Sequence, residues 1–319
     1  MKILVTGGAG FIGSFLTEKI CDSNEVLVLD NLSTGSVENL DTIINKIDFI
    51  NGDIRDKELV DSLISKCDLI YHLAASVGVK RILEDPQESV STNIYGSENI
   101  LNSACRFDKR IVIASTSEIY GKSTKQPLCE SDDRLIGAPQ NFRWIYSDAK
   151  AIEEAIATYL GISKNLRVTI ARLFNIVGPR QSSSYGMVLP SFIKSAIMGE
   201  SVVVHGDGSQ KRVFCHVNDA VDALIGLAKN SNTIREVFNV GGLAEISIID
   251  LARLVIEKTH SSSEIRFKPY SEVYPVGFED MLRRQPDLTK IKNFINWSPN
   301  LSLEQIIQDS ISSYLRNTS

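Results

Sequence analysis

The stretch KILVTGGAGFIG, from Lys2 to Gly13, decides the fold. It begins with a short aliphatic run typical of a buried strand and continues with Gly7, Gly10 and Gly13 in the spacing GxxGxxG. Glycines at the mouth of a helix permit a tight turn and let backbone N–H groups approach a pyrophosphate. Because glycine also serves any tight strand-to-helix turn, the motif needs support from the rest of the chain.

Strand-like runs recur through the first half of the chain, and longer segments with helical spacing separate them. The helical segments include Phe15–Cys21 and Asn93–Cys105. This alternation predicts an α/β fold, a Rossmann-type doubly wound parallel sheet with helices on both faces. The predicted strands after the first are EVLVLD, IDFINGD, LIYHLAA, RIVIAST and VTIARLFNIVG.

The pattern changes after about Gly178. Ser- and Gly-rich connections there separate short strands from helices such as Ile249–Lys258 and Leu303–Leu315. We expect residues 1–178 to form the dinucleotide-binding Rossmann domain. We expect residues 179–319 to form mainly a smaller α/β C-terminal substrate lobe, interleaved with the first domain because no linker-like stretch separates them.

Composition excludes several classes of function. The chain has 319 residues, 43% of them hydrophobic, and a formal net charge of -5 without a basic run, which argues against nucleic-acid binding. The start, MKILV, leads straight to glycines and does not resemble a signal peptide. Since no stretch approaches the roughly 20 apolar residues of a membrane span, we expect a cytoplasmic protein that binds no membrane.

The potential metal ligands are dispersed. Five cysteines and four histidines are scattered along the chain, and the cysteines lack CxxC spacing. We therefore expect reduced thiols and no metal site.

Two acidic residues lie at predicted strand ends, and the first of them bears on the choice between NAD and NADP. Asp30 ends the run EVLVLD, where a carboxylate accepts hydrogen bonds from a ribose diol and repels an extra phosphate. NAD is therefore favoured over NADP, although an Asp at a strand end also simply caps a turn. Asp53, in NGDIRD, is placed to meet the adenine edge or, alternatively, to cap a helix.

A second group of residues offers proton chemistry. Tyr146 and Lys150, in RWIYSDAK, lie four residues apart and so share one face of a helix. An ammonium beside a phenol favours the phenolate, which can act as a general base. Thr116, Ser117 and Glu118 follow the strand RIVIA and are expected at the edge of the sheet where open α/β folds bind ligands. The alternatives are a chance YxxxK and a polar turn with Glu118 in solvent.

The chain resembles the extended short-chain dehydrogenase/reductases that epimerise, dehydrate or decarboxylate nucleotide sugars. The resemblance covers essentially the whole chain, through GGAGFIG, HLAA, STSEIYG, YxxxK, RLFNIVGPRQ and GDGSQKRVFCHVNDA. It implies a bound NAD, a 4-keto sugar intermediate formed with the Tyr and the Lys, and a second lobe that holds the nucleotide. It also implies a homodimer, built from helices near Ser89–Ala104 and Ser147–Tyr159.

The resemblance assigns roles residue by residue. It implies NAD contacts at Gly7, Gly10, Phe11, Ile12, Gly13, Asp30, Asn31, Asp53, Ile54, Leu73, Ala74, Ala75, Tyr146 and Lys150. It implies contacts with a UDP-sugar at Lys80, Arg143, Asn175, Arg212 and Arg284.

Three features are similar to the UDP-glucuronate decarboxylase branch of this family. They are the Ser117–Glu118 pair, Arg143 and Trp144 before the tyrosine, and Arg284 two residues before a proline in GFEDMLRRQPDLTKI. The stretch SVGVKR is instead more similar to UDP-sugar 4-epimerases. We therefore expect decarboxylation of UDP-glucuronate or an N-acetylated analogue, with 4-epimerisation of a UDP-sugar as the alternative. An inactive NAD-bound sensor or scaffold is a third reading, which the intact Tyr146 and Lys150 disfavour.

The implied reaction begins at C-4 of the sugar. Tyr146, assisted by Lys150 and Thr116, takes the hydroxyl proton while hydride leaves for NAD, and the β-keto acid that results loses CO2. Glu118 or Ser117 then manages protonation at C-5, and hydride returns to C-4 unless the keto sugar leaves first. Arg284 steadies the carboxylate or the enolate.

Overall fold

The glycine turn joins the first strand to the first helix, as the sequence predicts. The computed structural model describes residues 1–78, 85–182, 187–273, 279 and 281–318, without the side chains of residues 317 and 318. In it, strand β1 (Lys2–Thr6) ends at Gly7, and helix α1 (Phe11–Ile20) begins directly after Gly10.

The described residues form short strands and mostly longer helices. The strands are β1 Lys2–Thr6, β2 Glu25–Asp30, β3 Ile47–Asn51, β4 Leu69–His72, β5 Arg110–Thr116, β6 Arg167–Leu173, β7 Ile176–Val177, β8 Val202–His205, β9 Lys211–Val213, β10 Cys215–His216, β11 Val237–Val240, β12 Glu245–Ser247 and β13 Ile265–Lys268. The helices are α1 Phe11–Ile20, α2 Lys57–Ile64, α3 Pro86–Val90, α4 Ser97–Arg106, α5 Ile145–Ser163, α6 Val188–Ile197, α7 Val217–Lys229, α8 Ile248–Lys258, α9 Tyr270–Val273, α10 Thr289–Ile295 and α11 Leu303–Thr318. A π-helical segment, Ser91–Gly96, links α3 to α4, and short 3-10 turns occupy Val37–Leu40, Ile44–Lys46, Ser117–Tyr120, Phe142–Trp144 and Ser231–Thr233.

Seven parallel strands form the central sheet, in the order β11-β6-β5-β4-β1-β2-β3. All six predicted runs supply a strand of it, and VTIARLFNIVG also supplies β7, which pairs with β10 outside the sheet. The edge strand β11 comes from the second half of the chain, so the two halves share the sheet. Its run VFNV is only four residues long, and the sequence reading missed it.

The sheet is covered on both faces, which explains its nearly continuous apolar strands. Side chains alternate along β1: Ile3 and Val5 pack with α1 and α7 on one face, and Leu4 packs with α2, α4 and α5 on the other. A third core lies in the second half, where Phe192, Val204, Leu251 and Ile307 pack together. No helix in the described ranges has the length and apolar content needed to cross a membrane.

The strand order fixes where a ligand can bind. β1 lies between β2 and β4, and the connections leave this central pair of strands, β1 and β4, in opposite directions along the sheet. In open α/β sheets the carboxyl ends of the strands at such a point border a crevice. The ends of β1, β4 and β5 therefore frame the candidate site.

Candidate active site

A cavity of about 610 Å³ runs along the carboxyl ends of these strands. It brings together most of the residues that the sequence singles out. The predicted residues in its wall are Gly7, Gly10, Phe11, Ile12, Gly13, Asp30, Asn31, Ile54, Leu73, Ala74, Ala75, Thr116, Ser117, Glu118, Arg143, Tyr146, Asn175, Arg212 and Arg284.

The glycine turn provides a cradle with no room for side chains. Gly7 has a φ of +72°, and a Cβ there would lie 2.7 Å from the backbone nitrogen of Ala74. A Cβ at Gly13 would collide with the carbonyl oxygen of Gly7. Gly10 caps helix α1 without a side chain, so the first N–H groups of the helix face the cavity mouth as an anion site. This geometry fits the pyrophosphate of a dinucleotide such as NAD.

Asp30 lies at the same end of the cavity. Its Oδ2 accepts a hydrogen bond from the Ala9 N–H (3.0 Å), and its Oδ1 accepts one from the Leu32 N–H (2.8 Å). Burial raises the pKa of Asp30, and the backbone donors oppose that rise. Carboxylate oxygens have further lone pairs, so Asp30 can still accept a ribose hydroxyl.

Asp53 is not the helix cap that one of its sequence interpretations expects, and its contact with the adenine edge stays a prediction. The structure does not bring it to the cavity wall. Its carboxylate accepts hydrogen bonds from Arg55 and from Asn31 Nδ2 (2.9 Å), and the Arg55 hydrogen bond is the main reason that its pKa falls to about 2. The next helix is capped by Asp56 instead. Asp53 therefore holds the Asn31 side chain, which does line the cavity.

Thr116 and Tyr146 both line the cavity, and the Thr116 hydroxyl opposes the rise in the pKa of Tyr146. Thr116 ends β5, and its Oγ1 accepts from the Glu118 N–H (3.2 Å). Ser147, next to the tyrosine, donates to the Glu118 carbonyl oxygen (2.8 Å) and ties helix α5 to the end of β5. Burial first, and then the charges of Glu118 and Glu153, raise the pKa of Tyr146.

Lys150 lies on the same helix as Tyr146, four residues further along, as the sequence predicts, and its contact with NAD stays a prediction. Its ammonium is ion-paired with Glu153, one helical turn further along α5, and Lys150 does not line the cavity. The spacing of Tyr146 and Lys150 correctly predicts one helix face, but the spacing holds no information about a buried carboxylate that competes for the ammonium.

Glu118 is held between two arginines. Arg143 Nη1 lies 2.6 Å from its Oε2, and Arg284 Nη1 lies 2.6 Å from its Oε1. Burial alone would raise the pKa of Glu118, but the two guanidinium groups lower it to about 2. The carboxylate is therefore ionised at neutral pH, and this cluster of three side chains has a formal charge of +1.

Arg284 also contacts the predicted serine. Its Nη1 donates to Ser117 Oγ at 3.2 Å. Its Nε is buried and has no hydrogen-bond partner among the residues that the structure describes. A buried donor of this kind costs free energy unless it is satisfied, so Arg284 is prepared to receive an acceptor from a ligand.

Residues from the second half of the chain line the far end of the cavity. Asn175 is held there by a hydrogen bond from its Nδ2 to the Val213 carbonyl oxygen (2.8 Å), and buried Arg212 donates to the Lys211 carbonyl oxygen (2.8 Å). Gln210 Nε2 donates to the Tyr270 hydroxyl oxygen (3.0 Å). The wall also includes side chains that the sequence reading missed, namely Met187, Leu189, Phe192, His205, Gln210 and Tyr270.

Nothing in the sequence pattern marks most of these missed residues, because their spacing is that of an ordinary core. Gln210 alone lies inside a quoted motif, GDGSQKR. The predicted substrate residue Lys80, and with it the second half of the epimerase-like stretch SVGVKR (residues 79–81), lies outside the described residues.

The comparison with known families agrees with this architecture. Residues 4–310 match the family described as GDP-mannose 4,6 dehydratase. The chain belongs to this family. The resemblance to enzymes that modify nucleotide sugars is thereby confirmed, as is the Rossmann-type fold.

Individual relatives within the family are similar over almost the whole chain. UDP-N-acetyl-alpha-D-glucosaminuronate decarboxylase of Bacillus cytotoxicus is 41% identical over 312 residues, which are 97% of this chain and 96% of the relative. UDP-glucuronic acid decarboxylase 1 of Xenopus tropicalis is 35% identical over 97% of this chain and 71% of the relative. The solved structure of Thermus thermophilus UDP-glucose 4-epimerase in complex with NAD has a TM-score of 0.85 and 27% identity, with 99% of both chains covered.

Proposed function

We propose that the protein is an NAD-dependent decarboxylase of a UDP-hexuronate that works through a 4-keto sugar. UDP-glucuronate and its N-acetylglucosamine analogue are the two candidate substrates. The observation that supports this reaction most directly is the pair of arginines around Glu118. The three side chains together have a formal charge of +1, which one further carboxylate would balance. A hexuronate provides that carboxylate at C-5 of its ring.

The similarity to relatives agrees with this choice. The two decarboxylases described above are named for uronate substrates and match nearly all of this chain. The relative with the higher identity is named for the N-acetylated uronate, so we expect UDP-N-acetylglucosaminuronate to be the better substrate.

The glycine cradle and Asp30 are the residues that would hold NAD. When it is bound, NAD supplies the hydride acceptor for C-4 and later returns the hydride. The first task of the protein's own residues is to remove the proton of the C-4 hydroxyl. We assign the removal of this proton to Tyr146 in its phenolate form. Because burial raises the pKa of the phenol, only the ionised fraction can act, and activity should rise with pH.

The arginines act in the next step. Oxidation at C-4 makes the substrate a β-keto acid, whose C–C bond to the carboxylate breaks with the electron pair moving to the C-4 ketone oxygen. A guanidinium next to the carboxylate orients it, and a guanidinium near the enolate stabilises the developing charge. Arg284, whose buried Nε has no hydrogen-bond partner in the described part of the chain, is assigned this role.

Protonation at C-5 completes the decarboxylation and precedes the return of the hydride to C-4. Glu118 is ionised while both arginines face it, so it has no proton to give in the free protein. When a substrate carboxylate draws Arg284 away, one of the two lowering influences on its pKa is lost. Glu118 then accepts a proton more readily and, with Ser117, manages its delivery to C-5.

Mass spectrometry of the products tests this proposal. The purified protein is incubated with NAD and, separately, with UDP-glucuronate, UDP-N-acetylglucosaminuronate, UDP-glucose and UDP-N-acetylglucosamine. Loss of CO2 from a uronate, with no change in the two neutral sugars, supports it. Unchanged masses together with a new isomer on chromatography favour the alternative, 4-epimerisation, which the similarity to the Thermus thermophilus enzyme supports.

The organisation of the molecule belongs to the same proposal. We assign NAD to residues 1–178 and the nucleotide mainly to residues 179–319. A homodimer is supported by exposed apolar side chains on α5 and the neighbouring π-helical segment, among them Tyr159 (64% exposed) and Tyr95 (61%). A cytoplasmic location is supported by the five cysteines, which are all free thiols.

A further inference from the structure

Helix α5 contains a buried ion pair, Lys150–Glu153, in which the proposed function assigns no step to Glu153. Lys150 and Glu153 lie one turn apart, with side-chain exposures of 2% and 0%. A buried charge is costly unless it is paired, so the two groups hold each other in place. The pair thereby holds the Lys150 ammonium beside Glu153, on the helix face that also carries Tyr146.

The surroundings of Glu153 contain no second cation at neutral pH among the described residues. His72 Nε2, from β4, lies 3.6 Å from Glu153 Oε1. Burial and the charge of Lys150 lower the pKa of His72 to about 3, so the imidazole is neutral. His72 is itself held by Thr6 Oγ1 (2.7 Å) and Ser97 Oγ (2.9 Å).

Tyr146, Lys150 and Glu153 lie on one face of α5, because their spacing of four and then three residues follows the helical repeat. The charged groups that act on Tyr146 are Glu153 on its own helix and Glu118 beyond β5, of which Glu118 is compensated by Arg143 and Arg284. Burial raises the pKa of Glu153, and Lys150 opposes that rise.

We propose that Glu153 is a positioning residue for the reaction: it holds the Lys150 ammonium, and its charge sets the pH range in which Tyr146 takes a proton. The inference rests on the proposed function only through the role of Tyr146. Glu153 touches neither the cavity nor, by this geometry, the substrate, so it acts entirely through its neighbours on the helix.

The adjacent residue offers a matched control. Glu154 is also buried and also ion-paired, with Arg172 Nη2 at 2.8 Å. Its partner lies on β6 and hydrogen-bonds Tyr120 rather than Tyr146. Neutralising Glu154 therefore perturbs a buried pair on the same helix without removing a charge that acts on the catalytic tyrosine.

The test compares pH profiles of kcat for the wild type, Glu153→Gln and Glu154→Gln. Activity rises with pH as Tyr146 loses its proton, and removal of a negative charge nearby lowers the pKa of Tyr146. We expect the rising limb of Glu153→Gln to move about one pH unit towards acid, and its maximal kcat to fall about tenfold as Lys150 loses its position. The limb of Glu154→Gln is expected to coincide with that of the wild type.

Two further measurements keep the inference open to refutation. Glu153→Asp retains the charge on a shorter side chain. We therefore expect its pH profile to rise at the same pH as that of the wild type, with a lower maximal kcat. This variant replaces Glu153→Gln in the test if Glu153→Gln does not fold. A crystal structure of either variant should show Lys150 Nζ displaced. An unmoved limb with unchanged kcat in Glu153→Gln, or an equal shift in Glu154→Gln, overturns the proposal.

Failure of the proposed function is recognised separately. Decarboxylation and 4-epimerisation both begin with proton removal at the C-4 hydroxyl. If no uronate loses CO2, the same pH profiles are measured on the sugar that is epimerised, and the role of Glu153 is judged from them and from the position of Lys150.

Discussion

Arg284 Nη1 lies 2.6 Å from Glu118 Oε1, although 166 positions separate the two residues in the chain. The contact joins the C-terminal part of the chain to the end of β5. It places a guanidinium in the wall of the cavity at the point where the sequence predicts proton chemistry. Its consequences for activity and for stability can be measured independently.

Replacement of Arg284 should remove the recognition of the substrate carboxylate. We expect Arg284→Met to lower kcat/KM for CO2 release from the uronate by about 10- to 100-fold, the worth of a charge-assisted hydrogen bond. The neighbouring Arg283 pairs with Glu245 near the surface (2.8 Å) and serves as the control. An Arg283→Met variant as impaired as Arg284→Met would contradict the assignment.

The ion pairs of Glu118 should make the free energy of unfolding decrease at low pH. The pKa of Glu118 is below the ordinary value of 4.5, at about 2, so its contribution is complete above pH 4.5 and is lost as the pH falls towards about 2. We expect the wild type to lose about 2–3 kcal/mol more than Glu118→Gln between about pH 6 and about pH 2.5. Urea unfolding across this range measures the difference, and parallel curves for the two proteins would argue against the ion-pair cluster.

Tyr146→Phe should abolish turnover and leave NAD binding intact. Only the phenol oxygen is removed, so the cavity keeps its shape while the proton acceptor is lost, and we expect a decrease in kcat of about 10²- to 10⁴-fold. Turnover and NAD content are measured on the same preparation. Tyr159→Phe, on the exposed face of the same helix, is the control, and wild-type turnover in Tyr146→Phe would refute the mechanism.

The sequence predicts the parts of this site that depend on local pattern. GGAGFIG, the strand ends and the YxxxK spacing each follow from the period of one strand or one helix, and the structure has the six predicted strands. What sequence could not provide is the pairing of distant side chains. Lys150 pairs with buried Glu153, and Asp53 pairs with half-buried Arg55. Neither partner is marked by the local pattern, and the contacts of Lys150 and Asp53 with NAD stay predictions.

The far wall of the cavity illustrates the same limit. Phe192 reaches it from helix α6, where its hydrophobic spacing is that of any core helix. Tyr270 reaches it from a four-residue helix without buried residues, which has no hydrophobic pattern to mark it. Edge strand β11 was missed for a related reason, since only its pairing with β6 distinguishes four residues from a loop.

The assembly of the molecule provides the last prediction. Ile152, Tyr159 and Ile162 form an exposed apolar stripe along α5, with Tyr95 on the adjacent π-helical segment. A two-fold axis across this surface would bury the stripe against its own copy. We expect the wild type to sediment as a dimer, and Tyr159→Glu to sediment as a monomer, because the new charge would be buried without a partner. Leu243→Glu, at an equally exposed apolar residue elsewhere, should remain dimeric. A monomeric wild type, or a dimeric Tyr159→Glu, would show that this face is not the interface.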